Sequence, residues 1–143
     1  IYFKEGILHE DELFTLYLCL HSNNVIVLKE ITYNYNKTNI TSITGKAQSS
    51  IKSINDRVII VKEYLDVMMK EDTYFKALFI SKIFRLTDSI LLNSVVFKNY
   101  LLWNKYFNIL EKIFYANGLN KYFKRHYGNK IIKYFTLRLM WLK

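Results

Sequence analysis

The spacing of apolar residues changes along the chain and predicts a short mixed segment followed by a mainly helical region. Apolar residues recur every three or four positions from Leu13 to Leu20, and Ser22 ends the pattern, so we predict a first helix over residues 13–22. The same spacing predicts four longer helices over residues 51–70, 73–93, 95–116 and 130–142. Because proline is absent and glycine occurs four times, few residues interrupt these helices.

The β-prone stretches are shorter. Residues 1–4, 25–28 and 31–35 are rich in β-branched and aromatic side chains and predict short strands. Residues 36–50 are polar and predict a loop of about 15 residues, a length that is more often functional than structural. We therefore expect a mainly α fold with a small β element, in the α+β class.

Length and composition limit the fold further. The chain has 143 residues, of which 51% are apolar, and this is enough for one domain with its own core and excludes a disordered protein. No apolar run approaches the roughly 18 residues of a membrane span. The single cysteine, Cys19, has no partner for an internal disulfide. It lies on the apolar side of the first helix, so we predict that it is buried.

Charge is distributed unevenly. Residues 1–72 hold 8 Lys and Arg against 10 Asp and Glu, whereas residues 73–143 hold 13 against 2. A basic half of this kind predicts contact with an anionic surface or an acidic partner.

The acidic run Glu10-Asp11-Glu12 stands where the first helix should begin. Carboxylates in a first helical turn favour the positive end of the helix dipole, and this structural interpretation is the simplest one. The functional interpretation is that one carboxylate faces a cleft as a general base. Glycine-rich phosphate loops are absent, and the three histidines are too scattered for metal-ligand spacing.

The residues around this run resemble a known family. Residues 3–14, FKEGILHEDELF, resemble the "EGI..ED..F" segment of family 2 glycosyltransferases with the GT-A fold, many of which build bacterial capsule, exopolysaccharide or lipopolysaccharide. Residues 31–35, ITYNY, are similar to the family's "lYyYr" strand, and residues 41–44, TSIT, to its "gSIT" loop. Three landmarks in the family's order make the resemblance specific over residues 3–46.

The resemblance implies a division of the chain. Residues 1–50 would be the acceptor-side end of the catalytic α/β domain, and residues 51–143 a C-terminal helical region. In the family, a nucleotide-binding half with a DxD-type motif precedes this part, and this sequence holds no Asp-x-Asp. We therefore expect a C-terminal fragment that is inactive alone, within a full-length enzyme that uses Mg or Mn.

The resemblance also implies roles for single residues. Asp11 would be the catalytic base that activates an acceptor hydroxyl for attack on a nucleotide-sugar, with inversion of configuration, and Glu10 would flank it. The remaining substrate-binding candidates are His9, Lys37, Ser42 and Thr44, the last three in a loop near the donor diphosphate. The family often has an arginine where this chain has Asn36. Lys37 lacks the bidentate grip of arginine.

The C-terminal stretch 118–143 holds seven Lys and Arg and no acid, interleaved with aromatic and aliphatic residues. This pattern is typical of a helix on an anionic membrane surface, and an ordinary core helix with a solvated basic face fits equally well. The candidate membrane-facing residues are Lys121, Lys124, Arg125, Lys130, Lys133 and Arg138. Nucleic-acid binding is a less favoured third interpretation.

These features predict where the protein acts. We expect a cytoplasmic protein that is peripheral on the inner face of the plasma membrane. Its partners would be a nucleotide-sugar donor and a saccharide or lipid-linked acceptor. The helical region is a candidate surface for self-association.

Overall fold

The computed structural model describes residues 1–26, 28–31, 50–70, 73–96 and 100–128, and these residues fold mainly into helices. In chain order the described helices are α1 (Glu10–His21), α2 (Ile51–Lys70), α3 (Thr73–Val96), α4 (Tyr100–Ala116) and α5 (Asn120–Tyr127). Consecutive helices from α2 to α5 pack against each other, and α1 lies against α2. The mainly α prediction is confirmed.

The predicted strands are not found within the described residues. Residues 1–4 are irregular, and Val25, Ile26 and Leu28 are irregular and exposed. A β-prone run forms a strand only where a neighbouring strand completes its hydrogen bonds and covers one face, and these side chains have no such cover. Residues 32–35 and the predicted loop up to residue 49 lie outside the described residues.

The long helices follow their apolar spacing, with one shifted boundary. α2 has the predicted bounds, whereas α3 continues past residue 93 to Val96 and α4 begins at Tyr100 instead of residue 95. No glycine or proline stands near residue 94 to stop α3. The Ser94 hydroxyl donates to the Leu91 carbonyl of the same helix at 2.7 Å, so the Ser94 side chain is satisfied inside α3 and does not end it. The predicted helix 130–142 lies outside the described residues.

Aromatic side chains build the core between α3, α4 and α5. Trp103, Tyr106 and Phe114 of α4 and Phe123 of α5 are almost fully buried. The rings of Phe114 and Phe123 lie 5.0 Å apart, and those of Phe84 and Phe114 lie 5.4 Å apart. Such close ring pairs add to the gain from burying apolar area.

The turn between α4 and α5 contains a C-cap at Asn117-Gly118, directly after the predicted end of the helix at residue 116. Gly118 has φ 70°, its N–H donates to the Tyr115 carbonyl at 3.0 Å, and the Leu119 N–H donates to the Phe114 carbonyl at 2.8 Å. These two bonds make a Schellman motif, which ends α4 and directs α5 back onto the core.

Candidate functional site

The acidic run occupies the first turn of α1, as the sequence predicts. Asp11 is exposed, and Glu10 and Glu12 are partly buried. His9 is the N-cap residue, with φ 65° and ψ 32°, and its carbonyl accepts the Glu12 N–H at 3.1 Å. The unpaired N–H groups at this helix end favour nearby negative charge. The start of α1 therefore presents a carboxylate, Asp11, to solvent.

His9 turns its imidazole toward α2. Its Nε2 lies 2.8 Å from the Ser53 hydroxyl oxygen, which also accepts a hydrogen bond from the Arg57 guanidinium at 3.0 Å. Burial lowers the pKa of His9 below its ordinary value, and the positive charge of Arg57 lowers it further, against the opposing effect of the acidic run. Since Ser53 accepts from Arg57, its own proton is available to the neutral imidazole.

The turn before His9 is also fixed on α2. The Leu8 N–H donates to the Asp56 carboxylate at 2.8 Å. Lys52 donates to the same carboxylate oxygen at 2.7 Å and to the Gly6 carbonyl at 2.7 Å. Asp56 is buried, with 5% of its surface exposed, so this carboxylate depends on its hydrogen-bond partners.

Glu12 links the same helix start to α2 and α3. Its carboxylate pairs with Lys82 of α3 at 2.5 Å, and its backbone carbonyl accepts the Tyr64 hydroxyl of α2 at 3.3 Å. Burial, with the nearby charge of Glu12 as a second cause, raises the pKa of Tyr64 to about 12. Tyr64 is thus a neutral hydrogen-bond donor at physiological pH.

An open groove of about 410 Å³ runs from this point between α1, α2 and α3. Its lining residues are Thr15, Leu16, Cys19, Leu20, Tyr64, Leu78, Phe79 and Lys82. Cys19 is exposed, so the prediction that it is buried is wrong. Helical spacing places it on the side of α1 nearest α3, but there the two helices leave a groove instead of closing a core.

The other predicted substrate-binding residues, Lys37, Ser42 and Thr44, lie outside the described residues. The structure brings His9 and the turn before it against three α2 residues that the sequence argument missed, Ser53, Asp56 and Arg57, while Glu10 and Asp11 follow His9 in the first turn of α1. One signal for them exists in the sequence. Helical spacing puts Ser53 and Asp56 on the same face as the apolar residues Ile60 and Tyr64. Ser and Asp are mostly exposed in proteins, so their place on an apolar face is unusual.

The structure describes the basic C-terminal stretch 118–143 as far as residue 128. Lys121, Lys124 and Arg125 are exposed on α5, whereas Phe123 and Tyr127 of the same helix are buried in the core. α5 ends at Tyr127, where Gly128 has φ 54°. Phe123 and Tyr127 therefore pack inward, whereas the exposed face carries the three cations together with Tyr122. Lys130, Lys133 and Arg138 lie outside the described residues.

The described part of the chain has neither a cluster of metal-binding side chains nor a helix that could cross a membrane. No group of three or more His, Cys, Asp or Glu side chains there is arranged to hold a metal ion. None of the described helices combines the length and apolar character needed to cross a membrane. Comparison of the chain with protein-family models, with curated proteins and with solved structures found no match.

Proposed function

We propose that this chain is the acceptor-side end and C-terminal helical region of an inverting glycosyltransferase. The enzyme would move a sugar from a nucleotide-sugar donor to a hydroxyl of a saccharide or lipid-linked acceptor, in the synthesis of a surface polysaccharide. The observation that carries the proposal is the Glu10-Asp11 pair at the start of α1, within the family-like run 3–14 and on a turn bonded to α2.

In the proposed reaction, Asp11 accepts the proton of the acceptor hydroxyl. That oxygen forms a bond to the anomeric carbon of the donor sugar as the bond to the nucleoside diphosphate breaks, and the diphosphate leaves with the electron pair. One displacement inverts the anomeric configuration. A general base contributes about 100- to 10,000-fold to such a step, and a rigid mount is what lets it do so. Asp11 is exposed at its helix start, as a base that meets an incoming substrate must be.

Neighbouring residues would orient the acceptor. Glu10 stands beside Asp11 in the same helical turn and would contact the acceptor or steer the base. The His9 imidazole is hydrogen-bonded to Ser53 through Nε2, and this bond holds the turn. The opposite edge of the ring would contact the acceptor. The GT-A family uses a divalent cation, which offsets charge on the leaving diphosphate when bound. The described residues offer no fitting ligand group for it, and the proposal assigns the cation to the nucleotide-binding half.

The test uses the full-length polypeptide that contains this chain. It is incubated with a panel of nucleotide-sugars, with and without saccharide and lipid-linked acceptors, and release of nucleoside diphosphate is measured. The proposal expects acceptor-dependent release with at least one donor, and NMR should show a product anomer opposite to that of the donor. Retention of configuration, or no acceptor-dependent release across the panel, would contradict it.

A second candidate, a basic helical module that binds an anionic membrane surface, is favoured by one observation. Lys121, Lys124 and Arg125 form an exposed cationic face on α5. Each such residue near an anionic bilayer adds about 1 kcal/mol of attraction. This property is compatible with the transferase, because it would hold a cytoplasmic enzyme at the inner face of the plasma membrane near a lipid-linked acceptor.

Co-sedimentation with vesicles tests this second candidate. Binding to vesicles that contain anionic lipid should fall steeply with salt and weaken in Lys124→Glu, whereas Lys62→Glu, an equal charge change on the exposed side of α2, should have less effect. Equal weakening by the two variants would remove the specific role of α5. Absence of binding at low salt would leave α5 as a core helix with a solvated face.

A further inference from the structure

Ser53 and Asp56 are the two buried polar side chains at the start of α2. They are 0% and 5% exposed, respectively, and each has a hydrogen-bond partner in the turn that leads into α1. Burial of polar groups is unfavourable unless they are hydrogen-bonded, and a hydrophobic side chain at either position would fill the same space without that requirement. The position of these two residues therefore calls for an explanation beyond packing.

Asp56 fixes the position of the backbone just before α1. Leu8 precedes the first residues of the helix, so its N–H has no acceptor within α1, and the Asp56 carboxylate accepts it at 2.8 Å. Lys52 supplies the opposite charge to Asp56 and also bonds to the Gly6 carbonyl, both at 2.7 Å. Gly6 has φ 79°, a conformation that suits glycine. The turn is thus held at two successive points.

Ser53 fixes the side chain of the next residue. His9 has φ 65°, which is uncommon for a residue other than glycine and persists where the surroundings hold it. Two described contacts hold it. Its carbonyl accepts the Glu12 N–H at 3.1 Å, and its imidazole is hydrogen-bonded to Ser53, which is oriented in turn by Arg57. Asp11 follows His9 by two residues and lies in the first turn of α1, the part of the helix directly connected to this turn.

We propose that Asp56 and Ser53 are positioning residues, which hold the turn of residues 6–9 in the conformation that aims Asp11 at the acceptor hydroxyl. This inference rests on the proposed function. Leu13 and Leu16 anchor the middle of α1 in the core independently of the turn. Removal of the Asp56 contact therefore loosens the first turn of α1 while the rest of the helix stays in place.

The first part of the test is structural and does not depend on activity. In the full-length polypeptide, amide hydrogen exchange is measured by mass spectrometry for wild type, Asp56→Ala, Asp56→Asn, Ser53→Ala and the control Asp66→Asn, an exposed acid of the same helix. Asp56→Ala and Ser53→Ala should accelerate exchange in residues 6–12 but not in residues 100–116. Asp56→Asn should cause less change, because its amide oxygen still accepts the Leu8 N–H.

The second part is kinetic. A base displaced by about 1 Å can lose on the order of 100-fold in rate, so Asp56→Ala should lower kcat by about that factor and leave the donor KM unchanged. Asp56→Asn should recover most of the rate, and Asp66→Asn should match wild type. If Asp56 had a purely structural role, Asp56→Ala would lose active enzyme on heating. It would show neither the recovery by Asp56→Asn nor a lowered kcat with an unchanged donor KM.

The outcomes separate the inference from the proposed function. Unchanged exchange in residues 6–12, or faster exchange with an unchanged kcat, would overturn the positioning role even if sugar transfer is observed. Exchange accelerated throughout the chain would also overturn it, since that result indicates general destabilisation. An enzyme whose turnover survives loss of the Asp11 carboxylate would overturn the base assignment, whatever the exchange data show for the turn.

Discussion

The N-terminal segment, residues 1–21, and the helices α3 to α5 are held in the fold by different kinds of contact. The N-terminal segment buries Leu13 and Leu16, packs Ile7 and Tyr17 partly against the core and stacks Phe3 on Phe14. It is also tied to α2 by ion pairs and hydrogen bonds, such as Lys4 to Glu63 and the Tyr17 hydroxyl to Glu63 at 2.9 Å. α4 and α5 instead interlock through the rings of Trp103, Phe107, Phe114 and Phe123.

This difference separates stability from orientation. Apolar burial is non-directional and stabilises the fold in proportion to the area removed from water. Hydrogen bonds and ion pairs add less net stability, but they specify distances and angles. The carboxylates that we assign to chemistry stand in the region held by directional contacts, which suits groups whose aim matters more than their contribution to stability.

The largest expected effect is in the aromatic region. Phe114→Ala removes a side chain that is 1% exposed and leaves a cavity among Phe84 and Phe123, so the free energy of unfolding should fall by about 3–5 kcal/mol. Urea denaturation measures this loss. Tyr115→Ala, at the next and 70% exposed position, should stay within about 0.5 kcal/mol. Similar losses from both variants would contradict the account of the core.

A smaller effect is expected where the N-terminal segment meets Glu63. The hydrogen bond from Lys4 is the main cause that holds the pKa of Glu63 below its ordinary 4.5, although burial opposes it. A lowered folded-state pKa stabilises the fold above pH 4.5, and this contribution is lost as the pH falls below 4.5 toward the folded-state value. At neutral pH, Glu63→Gln should cost less than about 1 kcal/mol, because the pair is partly exposed.

Urea midpoints measured from pH 7 to pH 3 test this expectation. The difference between wild type and Glu63→Gln should shrink as the pH falls. A constant difference across the whole range would mean that the Glu63 charge has no part in holding the segment.

The smallest effect is expected from His9. Burial, followed by the charge of Arg57, lowers its folded-state pKa below 6.5, so below pH 6.5 the unfolded chain binds a proton more readily than the folded one. The contribution of neutral His9 to the stability of the fold is therefore complete above pH 6.5, and it declines as the pH falls toward the folded-state pKa. His9→Asn keeps a residue that tolerates positive φ but does not titrate.

Hydrogen exchange of residues 6–12 between pH 7.5 and 5.5, corrected for the intrinsic pH dependence of exchange, measures the His9 effect. Wild type should lose protection toward the lower pH, and His9→Asn should lose less. His21→Asn, at an exposed histidine near the end of α1, is the control and should behave as wild type does. An equal response in His9→Asn and wild type would assign the pH dependence to other groups.

Local patterns in the sequence predicted part of this fold. The bounds of α2 follow from an apolar period without breakers, and the end of α4 follows from Asn117-Gly118, where glycine takes φ 70°. Both features depend on residues close in sequence. α5 was missed as a separate helix, because eight residues carry too little periodic signal and Gly128 ends it early.

The errors concern tertiary context. Cys19 has core spacing but faces a groove, since whether α3 covers that side of α1 cannot be read from α1 alone. Residues 25–28 have β-prone side chains without a described strand partner. At the candidate site, the acidic run was identified by its place at a helix start. Its supports, Ser53 and Asp56, lie more than 40 residues further along the chain, and folding alone brings them near His9.

The measurement that tests the central claim most directly is the single-turnover rate of sugar transfer by Asp11→Asn in the full-length polypeptide. Asparagine has nearly the same shape as aspartate and is a good residue at a helix start, but it cannot accept the proton. We predict that the rate falls by about 100- to 10,000-fold while the urea midpoint stays at the wild-type value and Asp66→Asn keeps full activity. Transfer at the wild-type rate by a folded Asp11→Asn protein would contradict the account.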